Sequence, residues 1–196
     1  MNKVTAGLTT SIDGYYAGPN DSPELGLGEG GEELHRWRFP EVDDSESATG
    51  PLPGDQAWLD AHDLAAGAVI GGRVTYDLAR AWGGSNPWPM PFFIVTHRPE
   101  DEHDEREFRF VGSLDEAIRR ASEVAGERPV HLMGGGTLIR EALAAGLVDE
   151  LSIVIAPITL GGGKRLFDGF DRHIELEPLG ARHSRYATFL DYRVKK

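Results

Sequence analysis

The chain of 196 residues contains no cysteine. That excludes disulfides, thiolate nucleophiles and zinc held by sulfur, and with them a zinc deaminase built on P-C-x-x-C. Long apolar runs are also absent, none approaching the ~20 residues that cross a bilayer. Positive charge is scarce: 20 Lys and Arg stand against 32 Asp and Glu, for a formal net charge of −12. A nucleic-acid binder needs a basic face, so that class is disfavoured, and any phosphate-bearing ligand must be held by local cations. The seven histidines form neither H-E-x-x-H nor an i,i+4 pair. Gly83-Gly84-Ser85-Asn86-Pro87 misses the last position of a G-x-S-x-G elbow. No metal and no activated nucleophile are expected. Enzymes that borrow a reactive cofactor need few catalytic side chains of their own.

What the chain does have is glycine in strand-to-helix turns. Residues 130–133 (Val-His-Leu-Met) read as a buried strand. Gly134, Gly135 and Gly136 follow, then a helix with Leu138, Ile139, Ala142 and Leu143 on one face and Gly146 placed to end it. Bare backbone opening a helix favours an anion, because unpaired N–H groups and the positive helix end point at it. The dinucleotide fingerprint G-x-G-x-x-G fails at Ile139, and a phosphate loop fails here and again at Gly161-Gly162-Gly163-Lys164. Two readings stay open: a ligand cradle, or only a tight turn.

A second unit of the same kind is Ala68-Val69-Ile70, Gly71-Gly72, then a helix from Arg73-Val74-Thr75-Tyr76, its apolar face continued by Leu78 and Trp82. A cation in a helix's first turn is mildly unfavourable unless an anion lies nearby, which marks Arg73 as a phosphate candidate. Phe92 to Thr96 reads as a strand ending in Thr96-His97-Arg98, polar groups where open α/β sheets bind ligands.

Elsewhere, residues 3–12 alternate, with Val4, Ala6 and Leu8 facing one way and the small Thr5, Gly7, Thr9 and Ser11 the other. This strand is either closely approached by a ligand or an ordinary edge strand. Asp13 follows in a turn, as an acid or as a plain turn residue. A short helix is expected over 32–39, with Leu34 and Trp37 on one face; Glu33 there is solvated or points into a pocket beneath. The acidic loop with Asp43, Asp44 and Glu46 reads as solvated, without the spacing of a calcium loop. A helix over 55–66 turns Trp58, Leu59 and Leu64 inward, and Ser113 to Glu116 is a capping box opening another helix. A strand is expected over 150–160, and two more over 173–179 and 185–194 joined near Gly180. One domain spanning 1–196 is expected, and with no leader pattern at its start a cytoplasmic location.

In order along the chain, Ser11-Ile-Asp-Gly14, Val69-Ile-Gly-Gly-Arg-Val-Thr-Tyr76, Phe93-Ile-Val-Thr-His-Arg-Pro99, Met133-Gly-Gly-Gly-Thr137 and Ala156-Pro-Ile-Thr-Leu-Gly-Gly-Gly-Lys-Arg-Leu-Phe167 form a set. This set resembles the dihydrofolate reductase fold, and within it the reductase domain of bacterial riboflavin biosynthesis and its stand-alone relatives. The resemblance implies a three-layer α/β architecture: a mostly parallel central sheet flanked by helices, with an antiparallel C-terminal strand. It implies an NADPH-dependent reductase acting on a small heterocyclic or otherwise unsaturated substrate, in a possible homodimer. The alternative is a non-catalytic nucleotide-binding protein that keeps the fold.

By position, Gly134 to Thr137 would hold the pyrophosphate and nicotinamide side, and Arg73, Val74 and Thr75 further phosphate. Thr96, His97 and Arg98 would surround the adenosine 2′-phosphate, with Ala17, Gly72, Met133 and Leu138 completing the cofactor contacts. The family's cis peptide would fall at Gly134–Gly135. Asp13 and Glu33 are the candidate acids, and Leu8, Thr9, Trp37 and Val154 the candidate substrate wall.

Overall fold

The computed structural model describes residues 2–40, 50–98 and 107–196. In chain order the elements are β1 (Val4–Ser11), β2 (Tyr15–Ala17), a 3-10 turn (Gly31–His35), α1 (Pro53–His62), β3 (Ala68–Gly72), α2 (Arg73–Leu78), β4 (Phe92–Val95) and β5 (Arg109–Val111). Then come α3 (Leu114–Ala125), β6 (Val130–Met133), α4 (Gly136–Ala144), β7 (Glu150–Ala156), β8 (Lys164–Arg165), β9 (Leu176–His183) and β10 (Thr188–Val194). Eight strands form one sheet in the order β5-β4-β3-β6-β1-β7-β10-β9, and β2 pairs with β8 apart from it. The pairs from β5 to β7 are parallel; β10 and β9 run antiparallel.

Strands buried on both faces carry apolar residues at successive positions, and β3 and β4 do so. Ala68, Ile70 and Phe93 pack under α3 and α4, while Val69, Phe92 and Ile94 pack on the opposite face with Trp88, Phe108 and Phe110. Burying each of these large side chains stabilises the fold by about 1.5–3 kcal/mol. The α3 cap forms as the sequence requires, the Ser113 hydroxyl accepting from the Glu116 N–H at 3.2 Å. Leu138, Ile139, Ala142 and Leu143 all face the core, and Gly146 follows the helix end at φ 67°.

Several expectations need correction. β1 lies between β6 and β7 at the sheet's centre and is no edge strand. Residues 31–35 form a single 3-10 turn in place of a regular helix, and Leu64 is 37% exposed because α1 ends at His62. Trp82 reaches its apolar cluster through a left-handed turn, with Arg80, Ala81 and Trp82 at φ 48°, 51° and 49°, and not by prolonging α2. Its ring, partly buried, lies 5.3 Å from Phe92, and that packing works against the backbone cost. β7 stops at Ala156, before Pro157, which cannot donate to a ladder. The last hairpin turns over 184–187, and Gly180 sits inside β9 opposite Asp191. The acidic residues Asp43, Asp44 and Glu46 lie outside the described residues.

Candidate functional site

The chain order places a switch point at β1: β6 returns on one side of it and β7 crosses to the other. In open α/β sheets ligands sit outside the carboxyl ends of the strands at such a point. Ends of adjacent strands are about 4.8 Å apart, so groups beyond β6 and beyond β7 face each other across roughly 10 Å.

The two strand–glycine–helix units are neighbours, because β3 pairs with β6 in the register Ile70 to Leu132. Their turns touch. Gly134 and Gly135 are left-handed, at φ 62° and 76°, and a Cβ on Gly135 would meet the Thr75 hydroxyl at 3.1 Å and the Gly72 nitrogen at 4.0 Å. No side chain caps the N-terminus of α4. The third glycine has another reason: a Cβ on Gly136 would lie 2.4 Å from the Tyr16 ring. Three glycines are thus required by two dihedrals and one ring, and the main chain of 134 and 135 stays half-exposed. The described residues contain no cis peptide, so the Gly134–Gly135 bond is trans; the two left-handed residues reverse the chain without it.

Cationic groups stand at the outer rim. Arg73 Nε donates to Asp77 Oδ1 at 2.7 Å, and the Arg98 guanidinium lies 3.5 Å from Asp77 Oδ2. The Thr96 hydroxyl is buried and accepts from the Arg98 N–H at 3.0 Å, so it shapes the turn after β4. His97 is exposed beside it, and Val74, 61% exposed, faces outward from α2. Thr137 is exposed, its hydroxyl accepting from Arg140 at 3.1 Å. Met133 packs with the aromatic cluster under β3 and β4. Leu138 and Ala17 are buried, so their side chains belong to the interior and at most their main chain lines a site.

The expected substrate wall does not form as a wall. Leu8 and Thr9 are adjacent in a strand and must face opposite ways. Leu8 packs on the α3–α4 side. Thr9, Trp37 and Val154 do come together, but buried: Trp37 Nε1 donates to the Thr9 hydroxyl at 3.1 Å, and Trp37 and Val154 share a cluster with Trp58 and Phe189. The small face of β1 was legible; what approaches it is the protein's own Trp37 and His131.

Open space at the carboxyl ends of the strands lies higher, beyond the end of β7. A cleft of about 240 Å³ is lined by Glu33, Arg36, Pro157, Ile158, Arg185 and Tyr186. Glu33 pairs with Arg36 at 3.8 Å. Asp13, by contrast, is engaged. The Ser11 hydroxyl donates to it at 2.6 Å, and the N–H groups of Gly161 and Leu160 donate at 2.8 and 3.1 Å. Those bonds, led by Ser11, hold its pKa down to about 2. It is an anion that ties the turn after β1 to the loop after β7, and so a poor proton donor. That loop is closely fitted at its last glycine: a Cβ on Gly163 would lie 2.1 Å from the Ala17 carbonyl oxygen, a packing reason for glycine there that needs no phosphate.

On the same sheet face, toward the amino ends of β1 and β6, runs a polar seam. His62 Nε2 meets Asp191 at 3.0 Å, and the Ser152 hydroxyl donates to the same carboxylate at 2.6 Å. The His131 ring meets Asp63 at 3.6 Å and the Thr5 hydroxyl at 2.9 Å, while Arg38 donates to Asp63 at 3.0 Å. Burial works against charge on His62, but the Asp191 and Trp58 hydrogen bonds outweigh it and raise its pKa. Burial lowers His131, and desolvation brings His35 down to about 4. The seam fastens α1 and the segment before it to the sheet. No local pattern marks it, since its members lie on six elements or segments far apart in the chain.

The architecture is that of the dihydrofolate reductase-like α/β proteins, a fold of reductase-type oxidoreductases. The chain belongs to the RibD C-terminal domain family, whose model matches residues 86–186. It is 31% identical over 128 residues to the uncharacterized protein YyaP of Bacillus subtilis (strain 168), an alignment covering 58% of this chain and 66% of that relative. Among solved structures, a Shewanella sp. PV-4 protein named for riboflavin biosynthesis superposes with a TM-score of 0.70, at 21% identity over 99% of both chains. A pyrimidine reductase-like protein from Corynebacterium diphtheriae gives 0.61 at 16% identity, over 100% of this chain and 92% of that one. Dihydrofolate reductase from Enterococcus faecalis, complexed with NADP(H), gives 0.59 at 15%, over 99% and 97%. No helix among the described residues is long and apolar enough to cross a membrane.

Proposed function

We propose that this protein is an NADPH-dependent reductase of a small unsaturated substrate, a heterocycle being the best fit. The observation that carries the reading is the pair of touching glycine turns, Gly72 and Gly134–Gly135, with Arg73 and Arg98 at their outer rim. Left-handed glycines and an uncapped helix end fit a diphosphate, and two guanidiniums let a chain of net charge −12 hold a polyanion. When bound, NADPH supplies the hydride.

The chain's own residues bind, orient and exclude. The backbone of 134 and 135 and the amino end of α4 hold the diphosphate side. Tyr16, fixed over Gly136, walls the interior end of that stretch. The cleft beyond β7 takes the substrate, Ile158 and Tyr186 giving it apolar contact and Arg36 and Arg185 positive charge. With Asp13 held ionised and Glu33 facing Arg36, the proton comes from water in the cleft, which Glu33 is placed to orient. The partners implied are a small molecule and no nucleic acid.

One observation favours a second reading, nucleotide binding without turnover: Thr9, Trp37 and Val154 are packed shut. A single experiment separates the two. Purified protein is titrated with NADPH by tryptophan quenching, then mixed with pterin, pyrimidine and quinone substrates while absorbance at the reduced-nicotinamide band is followed. Binding with oxidation supports the reductase; binding with no oxidation across the panel supports the second reading. No binding at millimolar NADPH removes both.

A further inference from the structure

The small face of β1 is filled by one side chain of the protein itself. Trp37 is 3% exposed. Its Nε1 donates to the Thr9 hydroxyl at 3.1 Å, and its ring stands edge-on to Trp58 and Phe189, at 5.7 and 5.2 Å. Thr9 is opposite Val154 in the register of β1 and β7, and Val154 belongs to the same cluster, so the indole sits at that level of the sheet. The cleft begins three residues on, at Pro157, just past the end of β7. Three residues of strand span roughly 10 Å. On that face only the small pair Ser11 and Ala156 stands between the two levels. Trp37 also adjoins the cleft's own wall: Arg36 precedes it in the chain, and Tyr186 shares its cluster. The cleft measures about 240 Å³, less than the roughly 300–1,000 Å³ of sites that take drug-sized ligands.

We infer that Trp37 is the floor of the cleft and sets the largest substrate it admits. The inference rests on the substrate cleft of the reading above and deepens it. With the indole in place, the cleft takes a single ring with short substituents. A fused bicycle is refused, because the depth it needs, down toward Thr9, is already filled. The Thr9 hydroxyl keeps the indole there by accepting an N–H that burial would otherwise leave unpaired. Trp37 acts on specificity alone and has no part in moving hydride or proton.

The experiment measures binding of pterin, indole and indole-3-acetate by calorimetry to wild type, Trp37→Ala and Trp37→Leu. Circular dichroism and melting curves check folding, and the milder Trp37→Leu serves if Trp37→Ala does not fold. An apolar space left by a removed ring can be refilled by a ring of like size. Pterin and indole are therefore expected to bind the folded variants at least about tenfold more tightly than wild type. Indole-3-acetate tells an extended cleft from a hole in the core. If the space opens into the cleft, its carboxylate stays in water and its affinity should match indole's within about threefold or exceed it. If the space is sealed, the carboxylate would be buried and the ligand refused by more than about thirtyfold relative to indole. That result would make Trp37 a packing residue and overturn the inference. So would wild type that binds pterin as tightly as the variants do, or folded variants that bind no ring. The assay contains no nucleotide, so a failure of NADPH binding removes the reductase reading and leaves the floor of the cleft standing.

Discussion

Replacing Gly135 by alanine separates a ligand cradle from a mere turn. The residue stands at φ 76°, where an L side chain costs about 1–2 kcal/mol. The new Cβ meets the Thr75 hydroxyl at 3.1 Å, tight enough to require a few tenths of an ångström of movement, and fills the gap between the starts of α2 and α4. A chain of this length loses roughly 2–4 °C of melting temperature per kcal/mol, so the fold should survive with a drop of about 2–8 °C. If the diphosphate rests in that gap, NADPH affinity should fall at least ~30-fold, or about 2 kcal/mol. The control lies just past the other end of the same helix. Gly146, at φ 67°, has nothing within 4 Å of its Cβ position, so Gly146→Ala carries the same dihedral cost away from the site. Thermal melts and fluorescence titrations of both variants should show similar melting shifts and a large affinity loss only at 135. A Gly135→Ala protein that binds NADPH within twofold of wild type would show that the nucleotide lies elsewhere.

Gly163→Ala should be far more damaging to the fold, by more than about 3 kcal/mol in urea denaturation, because its Cβ would strike main-chain atoms of Ala17 and Gly18 at 2.1 and 2.6 Å and its φ is 112°; a loss under 1 kcal/mol would mean that the loop yields. The polar seam makes stability depend on pH in two senses. His62 has a raised pKa, so its contribution is whole below about 6.5 and is lost as pH rises through the raised value. His35 and His131 have lowered values, so theirs is present above 6.5 and is lost as pH falls, for His35 toward about 4. Asp191→Asn should therefore destabilise by about 1 kcal/mol more at pH 6 than at pH 9, as a charge-assisted bond becomes a neutral one. Equal losses at both pH values would show that His62 and Asp191 do not form an ion pair in solution.

The fold was largely legible because local signals and long-range packing agreed. Two glycine turns, a capping box and doubly buried strands each say the same thing in sequence and in space. The order of short motifs was specific where each alone was weak. What stayed hidden was contact between distant segments. Thr9 and Trp37 look like exposed site residues until the 3-10 turn is laid across β1, and then they satisfy each other. Asp13 looks like an acid until the loop at 160–161 supplies its donors. Asp77 drew no reading from the pattern; it stands four residues after Arg73 as an ordinary helical pair, and nothing there tells that Arg98 joins it. The cleft beyond β7 draws Arg185 and Tyr186 from the final turn, whose position depends on a hairpin placed a few residues too early by reading Gly180 as its corner.

That hairpin also governs how the molecule keeps to itself. A sheet ends in rows of unmet amide and carbonyl groups, an invitation to a neighbour's strand. At one border stands a stub of three residues, β5. At the other, β9 is eight residues long and almost wholly exposed, but Pro178 lacks a donor and Leu179 has no opposite number between the Tyr192–Pro178 and Asp191–Gly180 pairs. The rhythm an incoming strand would have to match is broken midway, and Glu177 beside the break adds charge. Edge-to-edge pairing is thus opposed at this border by a missing hydrogen and an extra residue.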